Sequence, residues 1–374
     1  RLRRAIAEAQ MVLAEAYGPI PDELEWLNNL PGRFEEAGLV AEPESGGTGK
    51  EVVAKIFDRL SNPELNQSRF IGTGNSDLDR LFRMMRPGQL IVVGAQSGVG
   101  KSALAASIVE HVIREERTGD APAGVYVQSL EMTREEYVER MLFGAAGVDA
   151  YKLDEYNMGK ISPDDWRAIV RAGASVGVDN LYIDDRSAVS PAWLRARVRR
   201  QAKRFEKAGT PLRLIVVDYA QIMRGDVDQR RMSMNREQEV ASIGQAMKLL
   251  AKELGVPVIL LAQINKESVK ENRKPRSTDL RESQGLLNDA DKVVLIWNPS
   301  HAARAATYQN GEKLAVSAME HVELIVDKNR GGSTGTIAAT FLPSLTRFVR
   351  FKGTADDLAR LNESDPAKKR RGGR

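Results

Sequence analysis

The chain has 374 residues, of which 42% are hydrophobic and 28% charged, the balance of a globular protein with a substantial buried core. That length suits one large domain or one domain with an appendage, and a formal charge of +4 means that any nucleic-acid-binding surface must be local. The absence of cysteine excludes a disulfide framework and a Cys-ligated zinc site, and it fits a cytoplasmic protein.

Apolar runs such as Val256 to Ala262 are strand-sized, far short of the roughly 20 residues that a bilayer span needs. The Arg-rich opening Arg1-Leu2-Arg3-Arg4 is followed by Glu8 and Glu15, which interrupt the apolar core a targeting peptide would need. The chain starts without Met, so a segment upstream of Arg1 is expected.

Residues 1–65 read as helices separated by breakers: Pro19, Pro21, Pro31 and the stretch Ser45-Gly46-Gly47-Thr48-Gly49. Val52, Val53, Ile56, Phe57 and Leu60 recur at helical spacing, which predicts a short amphipathic helix over Glu51 to Leu60, ended by Ser61, Asn62 and Pro63.

Residues 66–355 read as a single α/β domain. The predicted strands are Leu90 to Val93, Val125 to Val127, Leu181 to Ile183, Leu214 to Val217, Val258 to Leu261 and Val293 to Ile296. Between them lie amphipathic helices over Ser102 to Arg117, Thr133 to Ala146, Ala192 to Lys207 and Glu237 to Leu254. Continuous Val/Ile/Leu runs alternating with helices indicate a mostly parallel sheet covered on both faces. Three further strands, near Val322 to Val326, Thr336 to Phe341 and Arg347 to Phe351, have no long helices between them and predict an antiparallel extension. Residues 356–374 end in Lys368-Lys369-Arg370-Arg371-Gly372-Gly373-Arg374 and read as a basic, disordered tail.

The strongest chemical signal is Ala95-Gln96-Ser97-Gly98-Val99-Gly100-Lys101-Ser102, placed directly after a strand and before a helix. This is a P-loop, with Ala95 where Gly is commoner. A triphosphate needs several backbone N–H groups converging on it, small residues let the chain wrap that closely, and the helix that follows aims its positive end at the phosphates. Ser97 to Ala103 therefore form the candidate ATP cradle, with Lys101 on the β and γ oxygens and Ser102 on Mg²⁺. Asp218, ending the strand Leu214 to Val217, fits the acidic partner for that ion. Glu131, just past the strand that starts at Val125, fits the carboxylate that orients the attacking water. It equally fits the first turn of the next helix, where Thr133 and Glu136 would form a capping box. Gln263 ends the strand Val258 to Ala262 and faces the ligand crevice of an open α/β sheet, as a γ-phosphate sensor or as a plain turn residue.

From about Thr73 to Phe351 the segments, in order, resemble the DnaB-type replicative helicases, a branch of the RecA superfamily. They are Thr73-Gly74-Asn75-Ser76-Asp77-Leu78-Asp79, the P-loop, Ser129-Leu130-Glu131-Met132 with Arg140-Met141-Leu142, and Tyr182-Ile183-Asp184-Asp185. They continue with Ile215-Val216-Val217-Asp218-Tyr219, Val256-Pro257-Val258-Ile259 running into Gln263, and Leu280-Arg281-Glu282-Ser283 with Asp289-Ala290-Asp291. Last comes Asp327-Lys328-Asn329-Arg330-Gly331-Gly332-Ser333-Thr334-Gly335.

The resemblance implies a RecA-like P-loop ATPase that hydrolyses ATP with Mg²⁺ in a hexameric ring and unwinds duplex DNA from single-stranded DNA. It implies that Glu131 is the catalytic glutamate, that Arg140 helps bind the nucleotide, and that Lys328 and Arg330 reach into the neighbouring subunit's ATP site. Arg281, Glu282 and Gln284 fall in the loop that lines the central channel of relatives. Here Gln284-Gly285 departs from the family, in which Gly commonly follows the Ser directly. Arg231, with Arg224, Arg230 and Arg236, and Lys274, with Lys270, Arg273 and Arg276, are further DNA-contact candidates. Aromatic residues are absent from both loops, which favours a grip on the phosphate backbone over base stacking.

Residues 1–65 are shorter than the family's N-terminal domain, and they read as its last helices with the linker helix, or as a divergent replacement. Primase and a helicase loader are the partners the resemblance implies, and the cytoplasm at the nucleoid is the expected location. Two other readings remain open at this point: a recombination or repair ATPase of the RecA or RadA kind, and a ring adaptor that binds ATP without turnover.

Overall fold

Alternating apolar runs become the strands of one nine-stranded sheet, and its two faces sort the side chains of each strand. The computed structural model describes residues 2–19, 26–27, 30, 33, 46–62, 70–118, 120–149, 152, 161–187, 189–218, 220, 223, 236–265, 273–280, 284–301 and 319–353. They fall into two compact units, one holding the described residues up to Asn62 and the other those from Phe70 onward.

In the first unit, helix α1 (Leu2–Ala16) precedes helix α2 (Gly49–Ser61). Thr48 and Glu51 close a capping box at the start of α2, so the helix begins slightly before the predicted Glu51. No α2 side chain is buried, and Val52, Val53, Phe57 and Leu60 are exposed.

The second unit opens with helix α3 (Ser76–Phe82) and strand β1 (Leu90–Ala95), followed by α4 (Lys101–Glu115). A small hairpin of β2 (Arg117–Thr118) and β3 (Ala121–Pro122) leads to β4 (Gly124–Ser129), α5 (Arg134–Ala146), α6 (Pro163–Val176) and β5 (Leu181–Asp184). Then come α7 (Pro191–Lys207), β6 (Leu212–Asp218), α8 (Arg236–Leu254), β7 (Val258–Gln263), the short α9 (Gln284–Asp289) and β8 (Lys292–Trp297). Strands β9 (Glu320–Asn329), β10 (Gly335–Leu342) and β11 (Arg347–Arg350) complete the order β11-β10-β9-β8-β1-β7-β6-β4-β5. From β8 to β5 every pairing is parallel, and β9, β10 and β11 add on antiparallel, as the lack of intervening helices predicts.

Ile91 and Val93 of β1 pack with α4 and α5, while Leu90 and Val92 pack with α7 and α8 on the other face. This two-sided burial is why the strands read as continuous apolar runs. Helix α6 is absent from the predicted helices. Its buried stripe is only Ile169, Ala172 and Val176, too narrow to stand out, although Ser162 caps it and Pro163 starts it.

Candidate active site

Strand β1 stands between β7 and β8, and the P-loop follows its carboxyl end. Crevices of this kind, outside the carboxyl ends of parallel strands, are where open α/β sheets take ligands. Gly98 and Gly100 adopt φ of +78° and +106°, a region that side-chain-bearing residues avoid, whereas Ala95 is still an ordinary β1 residue paired with Gln263. That is why Ala serves at the first position of this loop and Gly is kept at the later ones. The loop is held from behind: a Cβ on Gly100 would lie 3.0 Å from the Phe348 ring and 3.4 Å from Phe341.

Lys101 is buried, and its Nζ donates to the Ala95 carbonyl at 3.3 Å. Burial pushes its pKa down, and the negative charges of Asp218 and Glu131 pull it back up. Those two carboxylates reach the site through strand register. Ser129 of β4 pairs with Asp218 of β6, and the Leu130 N–H donates to the Asp218 carbonyl at 2.7 Å. Glu131 follows directly and is exposed. Thr133 and Glu136 do form the capping box of α5, one residue past Met132, so the cap belongs to Glu136 and leaves Glu131 outside it. Gln263 is half-buried beside Ala95, and Arg140 projects from α5 within electrostatic reach of Asp218.

Asp218 is the telling residue. It is 1% exposed, and no well-formed hydrogen bond reaches either carboxylate oxygen, with the Ser102 hydroxyl the one hydrogen-bond donor close enough to act on it. Burial raises its pKa, while the neighbouring Ser102 hydroxyl, Lys101 and Arg140 act in the opposite direction. A buried, unpaired carboxylate costs free energy unless something else satisfies it. Next to a P-loop serine, the donor set is two hard oxygens, the kind that Mg²⁺ takes together with phosphate oxygens and water. Ser102 and Asp218 fit that ion. Among the described residues there is no group of three or more His, Cys, Asp or Glu side chains that would make a separate metal site.

Lys328 and Arg330 lie elsewhere. Asn329 pairs with Lys292 at the start of β8, and the Arg330 N–H donates to the Asp291 carbonyl beside Leu90, at the amino edge of β1. Five residue steps of β1, about 17 Å, separate that edge from the P-loop. Within one chain these cations and the phosphate cradle are on opposite edges of the sheet.

Of the channel-loop candidates, Arg231, Arg281 and Glu282 lie outside the described residues, as does the Gln284 side chain. Gly285 in α9 packs so tightly on α8 that a Cβ would sit 2.2 Å from Ala241 Cβ, which gives the departure at this point a packing role. Lys274 is exposed, but its Nζ donates to Glu323 at 2.5 Å, and Arg273 makes a paired bridge to Asp279. Two residues that sequence reasoning left without a role also stand at these edges. The His301 ring reaches the P-loop, with Nε2 3.1 Å from where a Cβ on Gly98 would be, and Asp291 braces the turn of Arg330. A lone histidine carries no local signal. Asp291 belongs to a quoted motif whose pattern gives it no chemistry.

The chain matches the family model described as DnaB-like helicase C terminal domain over residues 71–350. It is 29% identical over 362 residues to the replicative DNA helicase DnaB of Geobacillus stearothermophilus, covering 95% of this chain and 73% of that protein. With the replicative DNA helicase DnaB of Leifsonia xyli subsp. xyli (strain CTCB07) it shares 31% over 356 residues, 93% of this chain and 71% of that one. A solved structure described as an ATPase domain superposes with a TM-score of 0.67 at 23% identity, over 82% of this chain and 100% of that chain. A DnaB-like replicative helicase, whose structure was described with its interactions with primase, gives 0.71 at 21% identity, over 94% of this chain and 76% of that one. The two structures establish a RecA-like ATPase fold, and with the family model spanning most of the sequence, this chain belongs to the DnaB-like helicase C-terminal domain family.

Proposed function

We propose that the chain is the motor of a ring-shaped replicative DNA helicase, in which ATP held by one subunit is hydrolysed with help from the next. The observation that carries this reading is the opposed placement of the machinery. Lys101, Asp218, Glu131 and Gln263 gather at the carboxyl edge of the sheet, and Lys328 and Arg330 stand at the amino edge. A head-to-tail assembly brings the two together at every interface, and such an interface closes into a ring when its rotation allows.

In this reading the backbone of Ser97 to Ala103 wraps the triphosphate, Lys101 pairs with its β and γ oxygens, and Arg140 contributes to nucleotide binding. Ser102 and Asp218 would hold Mg²⁺, which neutralises charge on the phosphate oxygens. Glu131 orients the attacking water and accepts its proton. Gln263, beside the P-loop and one residue from the bridge between Ile264 and Leu280, links the γ-phosphate to the segment that precedes the channel loop. The neighbour's Lys328 and Arg330 stabilise charge on the transferred phosphoryl group.

Arg231, Lys274, Arg281, Glu282 and Gln284 are the proposed contacts to single-stranded DNA. Residues 66–355 are the motor, 1–65 carry the linker helix and the remnant of an N-terminal domain, and 356–374 form a basic tail. Primase and a loader are the proposed partners, and the cytoplasm at the nucleoid the proposed location. Replacing Arg330 with Ala should lower kcat for ATP by about a thousandfold or more, the usual scale for such a cation, while nucleotide affinity is kept. Normal turnover in that variant would overturn the interface reading.

A further inference from the structure

Lys328 and Arg330 have no phosphate within reach in their own chain, yet their side chains are held. Lys328 Nζ donates to the Leu287 carbonyl, and the Arg330 guanidinium donates to the Asn288 carbonyl and stands 3.7 Å from Asp291 Oδ1. Leu287 and Asn288 belong to the last turn of α9, where carbonyls have no partner within the helix and cations are favoured. The two cations thus cap α9. The other end of α9 begins right after residues 281–283, and Leu280 bridges to Ile264, next to Gln263. A helix of this length spans only about 9 Å, so its capped end lies close to the segment that precedes it.

Asp291 anchors the arrangement. It is buried, its carboxylate accepts from the Leu90 N–H at 2.7 Å and from Lys248 Nζ at 2.6 Å, and its backbone N–H donates to the Leu90 carbonyl. Its own carbonyl accepts from the Arg330 N–H at 2.8 Å. One residue therefore fixes the foot of the P-loop strand, helix α8 through Lys248, and the turn that carries Arg330.

We propose that Asp291 is the positioning residue for the two interface cations, and that α9, capped by them, holds Lys328 and Arg330 ready for the neighbouring subunit's phosphates. The proposal rests on the interface reading above. Two long side chains whose rotamers are already restricted lose little more freedom on meeting a phosphate. Moving to it exchanges the Leu287 and Asn288 carbonyls for phosphate oxygens, which leaves the end of α9 uncapped. Hydrolysis next door is in this way felt at the segment proposed to touch DNA.

The test uses mixed rings of the full chain, with ATPase measured at saturating single-stranded DNA. Asp291→Asn alone should lower kcat at least tenfold, with KM for ATP and nucleotide affinity unchanged. Its P-loop is intact, so mixing it with Lys101→Ala, whose cations are intact, should restore activity. In a random one-to-one mixture about a quarter of head-to-tail interfaces are complete, so recovery should clearly exceed the sum of the two variants alone. No recovery, a raised KM, or unchanged kcat in Asp291→Asn would overturn the proposal, because Asp291 would then be acting on its own P-loop or on nothing. Arg330→Ala mixed with Lys101→Ala is the reference. If that pair fails to recover, the interface reading itself is wrong. If it recovers and the Asp291→Asn pair does not, only the positioning role is wrong. Should Asp291→Asn fail to fold, Gly244→Ala decides. Its Cβ would stand 2.9 Å from Leu286 Cδ1, pressing on α9 without touching Asp291, and its defect should be rescued by Lys101→Ala in the same way.

Discussion

Asp218→Asn should push stability and activity in opposite directions. In the free protein this carboxylate is 1% exposed, has no well-formed hydrogen bond and only the Ser102 hydroxyl near it, and is raised in pKa by burial. Leaving a buried polar group unpaired costs about 1–3 kcal/mol, more when it is charged. An amide of the same shape is also unpaired but carries no charge, so the net gain should be on the order of 1 kcal/mol. For a domain of this size that is a rise in melting temperature of about 1–2 °C. With Mg²⁺ and ATP present the order should reverse. A ligand at a hundred times its Kd adds about 2.7 kcal/mol to a protein that binds it, and the variant should gain much less. The assay is thermal unfolding of both proteins, with and without Mg²⁺ and a non-hydrolysable ATP analogue, beside a steady-state ATPase measurement. Destabilisation of the free variant, or an equal shift with Mg²⁺ and nucleotide, would refute the assignment of Asp218 as a strained metal ligand.

Lys292 is fully buried, donates to the Phe82 and Met84 carbonyls, and is pushed down to about 8 by burial and by nearby Arg86. Unfolded it titrates near 10.5, so between these values the unfolded chain binds the extra proton. The contribution of this residue to stability should therefore be level below pH 8 and rise from pH 8 to 10.5. The size is at most about 3 kcal/mol, since the two carbonyls and the Phe82 ring favour the charged form. Denaturant melts at about pH 7.5 and pH 9.5, either side of the lowered value, check this; the same pH slope in Lys292→Met would refute it. Lys274→Ala should reduce the slope of log K for single-stranded DNA against log salt by about 0.7, the value for one lost phosphate contact. An unchanged slope would mean that its ammonium stays with Glu323.

The strands and the P-loop were legible because each is a local pattern: apolar runs of strand length, and small residues between a strand and a helix. The antiparallel extension was legible for the same reason, from the absence of helices between Val322 and Arg347. What holds the site together was not. Asp291 acts on Leu90, 201 residues away in the chain, and His301 meets Gly98 only because β8 lies beside β1. Lys274 read as a free cation in a basic loop, and only the placement of β9 brings Glu323 to it. The placement of Lys328 and Arg330 on the far edge of the sheet is likewise a property of strand direction, which no local window contains.

Whether this ATPase separates DNA strands as a ring is decided on a forked DNA with one single-stranded tail, either 5′ or 3′. ATP-dependent strand separation is expected from one of the two tails only, and it should be lost in Arg330→Ala. ATPase activity stimulated by single-stranded DNA, with no separation from either tail by oligomeric protein, would contradict this expectation.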